Sequence, residues 1–67
     1  MRKINVEGLQ CTQAVMAVLR EMVSMADGEE IHIKYEEPNA RRDIMAMVKR
    51  RKYNLVSEGD KIIVLAK

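Results

Sequence analysis

Residues 2–35 read RKINVEGLQCTQAVMAVLREMVSMADGEEIHIKY, and in this stretch the spacing of hydrophobic residues changes twice. Ile4 and Val6 alternate with polar residues, which predicts a strand over residues 2–6. A helical spacing then predicts an amphipathic helix over about residues 12–26. The residues of its apolar face are Val15, Val18, Leu19, Met22 and Ala26. Alternation returns in residues 30–35, so the stretch predicts a strand–helix–strand unit with parallel strands.

The rest of the chain adds a second helix and a hairpin. Gly28 suits the left-handed residue that ends a helix, and Pro38 or Asn39 suits the start of the next one. The second helix has a predicted apolar stripe that comprises Ala40, Ile44, Met47 and Val48. Two further strands flank a turn at Gly59-Asp60. The last strand has four apolar residues in a row, which predicts either a central strand or one that a partner covers.

These elements predict one α+β domain over residues 1–67, in the order β-α-β-α-β-β. We expect a two-layer sandwich in which two helices cover one face of a four-stranded mixed sheet. The other face of the sheet is expected to remain partly open to water, because polar residues alternate in the first two strands.

Size and composition restrict the function. A chain of 67 residues has little room for an enclosed catalytic cavity, so chemistry is expected at the surface. With one cysteine and one histidine, His32, the chain has neither an intrachain disulfide nor a zinc site made of Cys and His. We expect His32 to face solvent, and the methionines to fill the core or an adaptable docking surface. We expect a monomeric cytoplasmic protein without a signal peptide, a membrane span or a cofactor.

Cys11 is the strongest candidate for chemistry. It lies between the first strand and the first helix, where unpaired N–H groups and the helix dipole stabilise a thiolate. Gly8 gives the preceding loop freedom to present the thiol, and Thr12 and Gln13 form the helix start. The residues alone leave a second interpretation open, in which Cys11 is a small buried hydrophobe.

The chain resembles the TusA/SirA-like family of sulfur-relay proteins along nearly its whole length. That family has Gly-Leu-x-Cys-Pro-x-Pro at the start of its first helix, and this chain has GLQCTQA at residues 8–14. The family's glycine before the second strand is matched by Gly28, its Asp-Pro pair by Glu37-Pro38, and its Asp-Ile pair by Asp43-Ile44. The order of elements is also that of the family.

The resemblance implies a sulfur carrier rather than a self-contained enzyme. Cys11 would hold a persulfide, a desulfurase or rhodanese-type protein would donate the sulfur, and an acceptor protein would receive it. The pathways of the family include tRNA thiolation, which gives an indirect link to tRNA, as well as cofactor assembly. The carrier needs no cofactor and no metal of its own.

The chain departs from the family motif at two positions. Thr12 and Ala14 stand where the family has prolines, which makes the helix start less rigid. Thr12 is a candidate N-cap, and with that cap Cys11 would lie just outside the helix.

Basic residues of the second helix are the second candidate. Arg42, Lys49, Arg50 and Lys52 lie off its apolar stripe and are predicted either to dock an acidic partner or RNA, or to form a solvated face. Arg51 falls near the stripe, so its stem is expected to pack while its head reaches water. The alternative function is therefore an interaction or regulatory module of the same fold without sulfur transfer. Such a module would bind a partner through its basic helix or its open sheet face, and RNA would bind through the basic helix.

Overall fold

A computed structural model describes residues 2–67; Met1, which the predicted domain includes, lies outside the described residues. The described chain forms two helices and four strands in the predicted order. The elements are β1 (Arg2–Asn5), α1 (Cys11–Ser24), β2 (Glu30–Lys34), α2 (Pro38–Arg51), β3 (Asn54–Gly59) and β4 (Ile62–Ala66).

The four strands form one mixed sheet in the order β1-β2-β4-β3. β1 and β2 are parallel, as predicted, while β4 is antiparallel to both β2 and β3. β4 is therefore a central strand, which explains its apolar sequence in part. The predicted α+β class with a four-stranded mixed sheet is confirmed.

One hydrophobic core lies between the helices and the sheet. The strands contribute alternate residues such as Ile31, Ile33, Ile63 and Leu65, all with no exposed surface. The predicted stripe of α2 is confirmed residue by residue. Both helices contribute to this same buried cluster, so both cover the same face of the sheet.

The predicted apolar face of α1 is shifted by part of a turn. Its fully buried residues are Ala14, Val18 and Met22, whereas Val15 and Leu19 are only half-buried. The sheet lies under Ala14, Val18 and Met22, whereas Val15 and Leu19 lie towards α2. Ala26, which was predicted to belong to this face, is exposed and lies beyond the end of the helix.

Several predicted boundaries are also wrong. α1 ends at Ser24, so Gly28 does not end the helix; it takes its left-handed φ of 87° in the turn that leads to β2. By contrast, α2 begins at Pro38, one of its two predicted starts, so that prediction is confirmed. Its N-cap is Glu37 and not Asn39. The hairpin turn consists of Asp60 and Lys61, because Gly59 still pairs with Ile62 at the end of β3.

The two helices start at the same end of the molecule. Each follows the carboxyl end of one of the two parallel strands, and Tyr35 N–H donates to Lys61 O at 3.1 Å, which fixes the hairpin turn at this end too. We call this end the carboxyl edge. At the opposite end Arg2 binds the Ser24 side chain at 3.0 Å, and Lys67 donates to Met25 O at 2.9 Å.

An ion pair joins α2 to the hairpin. The Arg41 guanidinium donates to the Glu58 carboxylate, and this hydrogen bond lowers the pKa of Glu58 below its ordinary value. Within residues 2–67 no helix is both long and apolar enough to cross a membrane.

Candidate functional site at the start of the first helix

A short anchored loop carries the chain from β1 to α1. Val6 is buried and extends the parallel pairing, since its N–H donates to Lys34 O at 2.8 Å. Leu9 N–H donates back to Val6 O at 3.1 Å. Gly8 lies between them with a φ of 81°, a conformation that side chains with a Cβ rarely adopt. The loop is therefore held at both ends, and Gly8 is needed for its turn.

Cys11 is the first residue of α1, and Gln10 is its N-cap. Gln10 N–H donates to the Gln13 side-chain oxygen at 3.3 Å, as a glutamine at the third helical position does in a capping box. Ala14 N–H donates to Gln10 O at 2.8 Å, which closes the first turn. The prediction that Thr12 caps the helix is thus wrong, because the helix already includes Cys11.

The thiol of Cys11 is free and half-buried. It lies at the positive end of a 14-residue helix, where the first N–H groups have no carbonyl of a preceding turn to bind. Gly8, Thr12 and Gln13, the predicted supporting residues, are all exposed around it. Such a position suits an anionic sulfur that another protein has to reach.

Two apolar side chains near the start of α1 are also exposed. Leu9 has 36% of its surface exposed and Met16 has 51%. Both line a shallow hollow of about 400 Å³, together with Thr12, Gln13, Ala17 and Arg20. Neither Leu9 nor Met16 is among the predicted site residues, although Leu9 lies just before the helix and Met16 about one turn into it.

A groove between the two helices begins next to this hollow. Its volume is about 360 Å³, and its residues are Thr12, Val15, Met16 and Leu19 from α1 and Asp43, Ala46, Met47, Arg50 and Arg51 from α2. The groove has apolar walls, an acidic residue near the carboxyl edge and two arginines at the far end. Arg51 is exposed and lines this groove rather than the core.

The basic residues of α2 do not gather around Cys11. Arg42 lies near the start of α2, is highly exposed, and pairs loosely with Asp43 at 3.7 Å. Lys49 and Arg50 belong to the last turn, and Lys52 follows it. The helical rise of about 1.5 Å per residue places Lys49 about 10 Å beyond Arg42 along the axis. All four are exposed, but only Arg42 shares the end of the molecule that carries the thiol.

No group of three or more His, Cys, Asp or Glu side chains within residues 2–67 is placed to hold a metal ion. A family model described as Sulfurtransferase TusA matches residues 2–67, so the match includes Cys11 and every element of the sheet and both helices.

Proposed function

This chain belongs to the TusA sulfurtransferase family, and from that premise we propose that it is a sulfur carrier that holds a sulfane sulfur as a persulfide on Cys11. One observation supports this choice of residue above the others. The single cysteine of the chain is the first residue of α1, and it is reachable at the carboxyl edge of the molecule.

The proposed loading step is an exchange between two sulfur atoms. The Cys11 thiolate attacks the outer sulfur of a persulfide on a donor protein. A new S–S bond forms on Cys11, the S–S bond of the donor breaks, and the donor cysteine leaves as a thiolate. The electrons balance between the two proteins, so no external oxidant or reductant is needed. Unloading is the same exchange, with an acceptor as the nucleophile.

The residues around Cys11 support this exchange in two ways. The N–H groups at the start of α1, including those of Thr12 and Gln13, favour negative charge on the sulfur. Thr12 has such an N–H group where the family motif has a proline. Leu9 and Met16 offer exposed apolar surface at the same end of α1, which a visiting donor or acceptor would cover.

We propose that the partners are a desulfurase or rhodanese-type donor and an acceptor of a cytoplasmic relay, such as tRNA thiolation or cofactor assembly. Of the basic residues predicted to dock them, Arg42 is the one that a partner at the carboxyl edge meets first. Lys49, Arg50 and Lys52 would contact only a partner that extends along the length of α2.

Sulfur loading of a single thiol tests the proposal. The protein is incubated with a cysteine desulfurase and cysteine, and its intact mass is measured. We expect the wild type to gain the mass of one sulfur atom and to lose it again on reduction. We expect Cys11→Ser to gain nothing while its circular dichroism spectrum stays that of the wild type, since the side chain is not part of the core cluster.

A relocated thiol is the matched control. In Cys11→Ser/Val23→Cys the thiol moves to an exposed site near the other end of α1, where the helix dipole disfavours an anion. We expect this variant to load much more slowly than the wild type. Equal loading of both thiols, or no loading of the wild type by either a desulfurase or a rhodanese, would contradict the proposal.

A further inference from the structure

The face of the sheet opposite the helices is not covered by any element of the described chain. Side chains of alternate strand residues point to this face, and the pairing brings them together. Lys3 lies next to His32, and Asn5 lies next to Lys34 on the parallel strands. Val64 pairs with His32 and Ile62 with Lys34 on the antiparallel side. We call this set of six residues the open face.

The open face is concave and basic. A hollow of about 390 Å³ is lined by Lys3, Asn5, His32, Lys34 and Ile62, with Ile4 and Ile33 at its floor. Among the residues 2–67 that line it, none is acidic. Beyond one end of the hollow, Glu7 accepts a hydrogen bond of 3.0 Å from the Asn5 side chain. Beyond the other end, Glu30 lies on the same face of the sheet. The positive charge of the open face is therefore confined between Glu7 and Glu30.

The lysines of the open face differ from Arg2 and Arg41 of the helix-covered side. Arg2 binds Glu29 at 3.2 Å and Arg41 binds Glu58, so each has an internal counter-charge. In the part of the chain that the structure describes, Lys3 and Lys34 form no ion pair. Their charges remain available to an external anion.

The open face also carries apolar residues that do not belong to the core between the helices and the sheet. Val64 has only 7% of its surface exposed yet is not part of the core cluster, and Ile62 has 40% exposed. β4 is thus apolar on both sides although helices cover only one. A short run of apolar residues such as this one is typical of a strand that is buried on both faces.

From this combination we propose that the open face docks an acidic protein segment in which carboxylates alternate with apolar residues. Carboxylates would pair with Lys3 and Lys34, and the apolar residues would cover the exposed part of Ile62. Single-stranded RNA fits less well, because Tyr35 and Tyr53 pack on the core and His32 is the one aromatic ring among the described residues that line the hollow. A second copy would bring two basic faces together. The proposal is independent of the sulfur chemistry of Cys11.

A peptide titration tests the proposal on the full chain. Isotope-labelled protein is titrated at low salt with a synthetic peptide of alternating Glu and Val, and amide shifts are followed by NMR. We expect saturable shifts confined to β1, β2 and β4, weakening as salt is added. A peptide of alternating Lys and Val should cause none.

A charge reversal with a matched control completes the test. Lys3→Glu/Lys34→Glu is expected to weaken peptide binding roughly tenfold or more. Lys49→Glu/Lys52→Glu makes the same change of charge at α2 and is expected to leave binding nearly intact. Equal losses of peptide affinity in both variants, or amide shifts centred on the helices, would overturn the proposal. It would also be overturned if a uridine oligonucleotide shifted the same residues in place of the peptide, or if protein concentration alone shifted them.

Discussion

Thr12 determines where α1 begins. In the motif that the chain resembles, a proline follows the cysteine, and a residue before proline is disfavoured in the helical conformation. With Thr12 this restriction is absent, so Cys11 adopts the first helical position and Gln10 becomes the cap. We therefore expect the replacement of proline to move the start of the helix back by one residue relative to a chain that has the motif.

We expect Thr12→Pro to release Cys11 from the helix and to start α1 at residue 12. The Cα chemical shift of Cys11 would then move from a helical towards an extended value, while the core residues of α1 keep their shifts. Thr12→Ala is the control, since alanine retains the N–H and leaves Cys11 helical. A helical shift at Cys11 in both variants would contradict this account of the helix start.

The sequence made this helix start hard to predict. Thr12 belongs to the residues that commonly cap helices, whereas glutamine does so rarely. The cap at Gln10 depends instead on the side chain of Gln13, which folds back to its N–H group. Ala14, in place of the second proline, has no exposed surface and donates the first hydrogen bond of the helix, two facts that depend on the packing of α1 on the sheet.

At the level of elements, α2 ends in a strained way. Lys52 follows the last turn with a φ of 59°, and its N–H donates to Lys49 O at 3.3 Å. A left-handed conformation costs a residue with a Cβ roughly 1–2 kcal/mol, and glycine is the usual residue here.

We expect Lys52→Gly to raise the free energy of unfolding by about 1 kcal/mol, measured by urea denaturation. Lys49→Gly is the matched control, because it makes the same change three residues earlier inside the helix. The free energy of unfolding of that variant is expected to fall by about 1 kcal/mol. A loss of stability in both variants would show that the left-handed conformation of Lys52 carries no penalty in the protein.

The two helices also differ in how well their sequence predicts their burial. α2 contacts the rest of the protein along one narrow stripe, so Ala40, Ile44, Met47 and Val48 could be identified from spacing alone. The apolar arc of α1 is wider, because it faces both the sheet and the groove towards α2. Spacing cannot tell which side of such an arc lies deeper, so it predicts Val15 and Leu19 as buried in place of Ala14.

The whole molecule depends on one small core. A domain of this size gains only about 3–5 kcal/mol of net stability from its hydrophobic core. Removing most of a large buried side chain costs about 2–5 kcal/mol. A single truncation in the core therefore consumes most of the stability of the fold.

Two adjacent residues of β4 allow the cost of truncating a core side chain to be measured. We expect Ile63→Ala, at a position with no exposed surface, to leave a large fraction of the protein unfolded at 25 °C. Ile62→Ala makes the same change at a side chain that is 40% exposed, and it should remain folded with a cost of about 1 kcal/mol or less. Denaturation curves followed by circular dichroism compare the two. Similar losses would mean that the open face is as well packed as the core.

The end of the molecule opposite Cys11 holds both described chain ends. Arg2 contacts Ser24 at the last turn of α1, and Lys67 N–H donates to Glu29 O at 3.1 Å. The 14 residues of α1 separate this region from Cys11 by about 20 Å. An affinity tag or a fused domain attached at residue 67 would consequently leave the sulfur pointing away from the attachment point. Protein immobilised on a resin in this way could be charged with sulfur and presented to soluble acceptors.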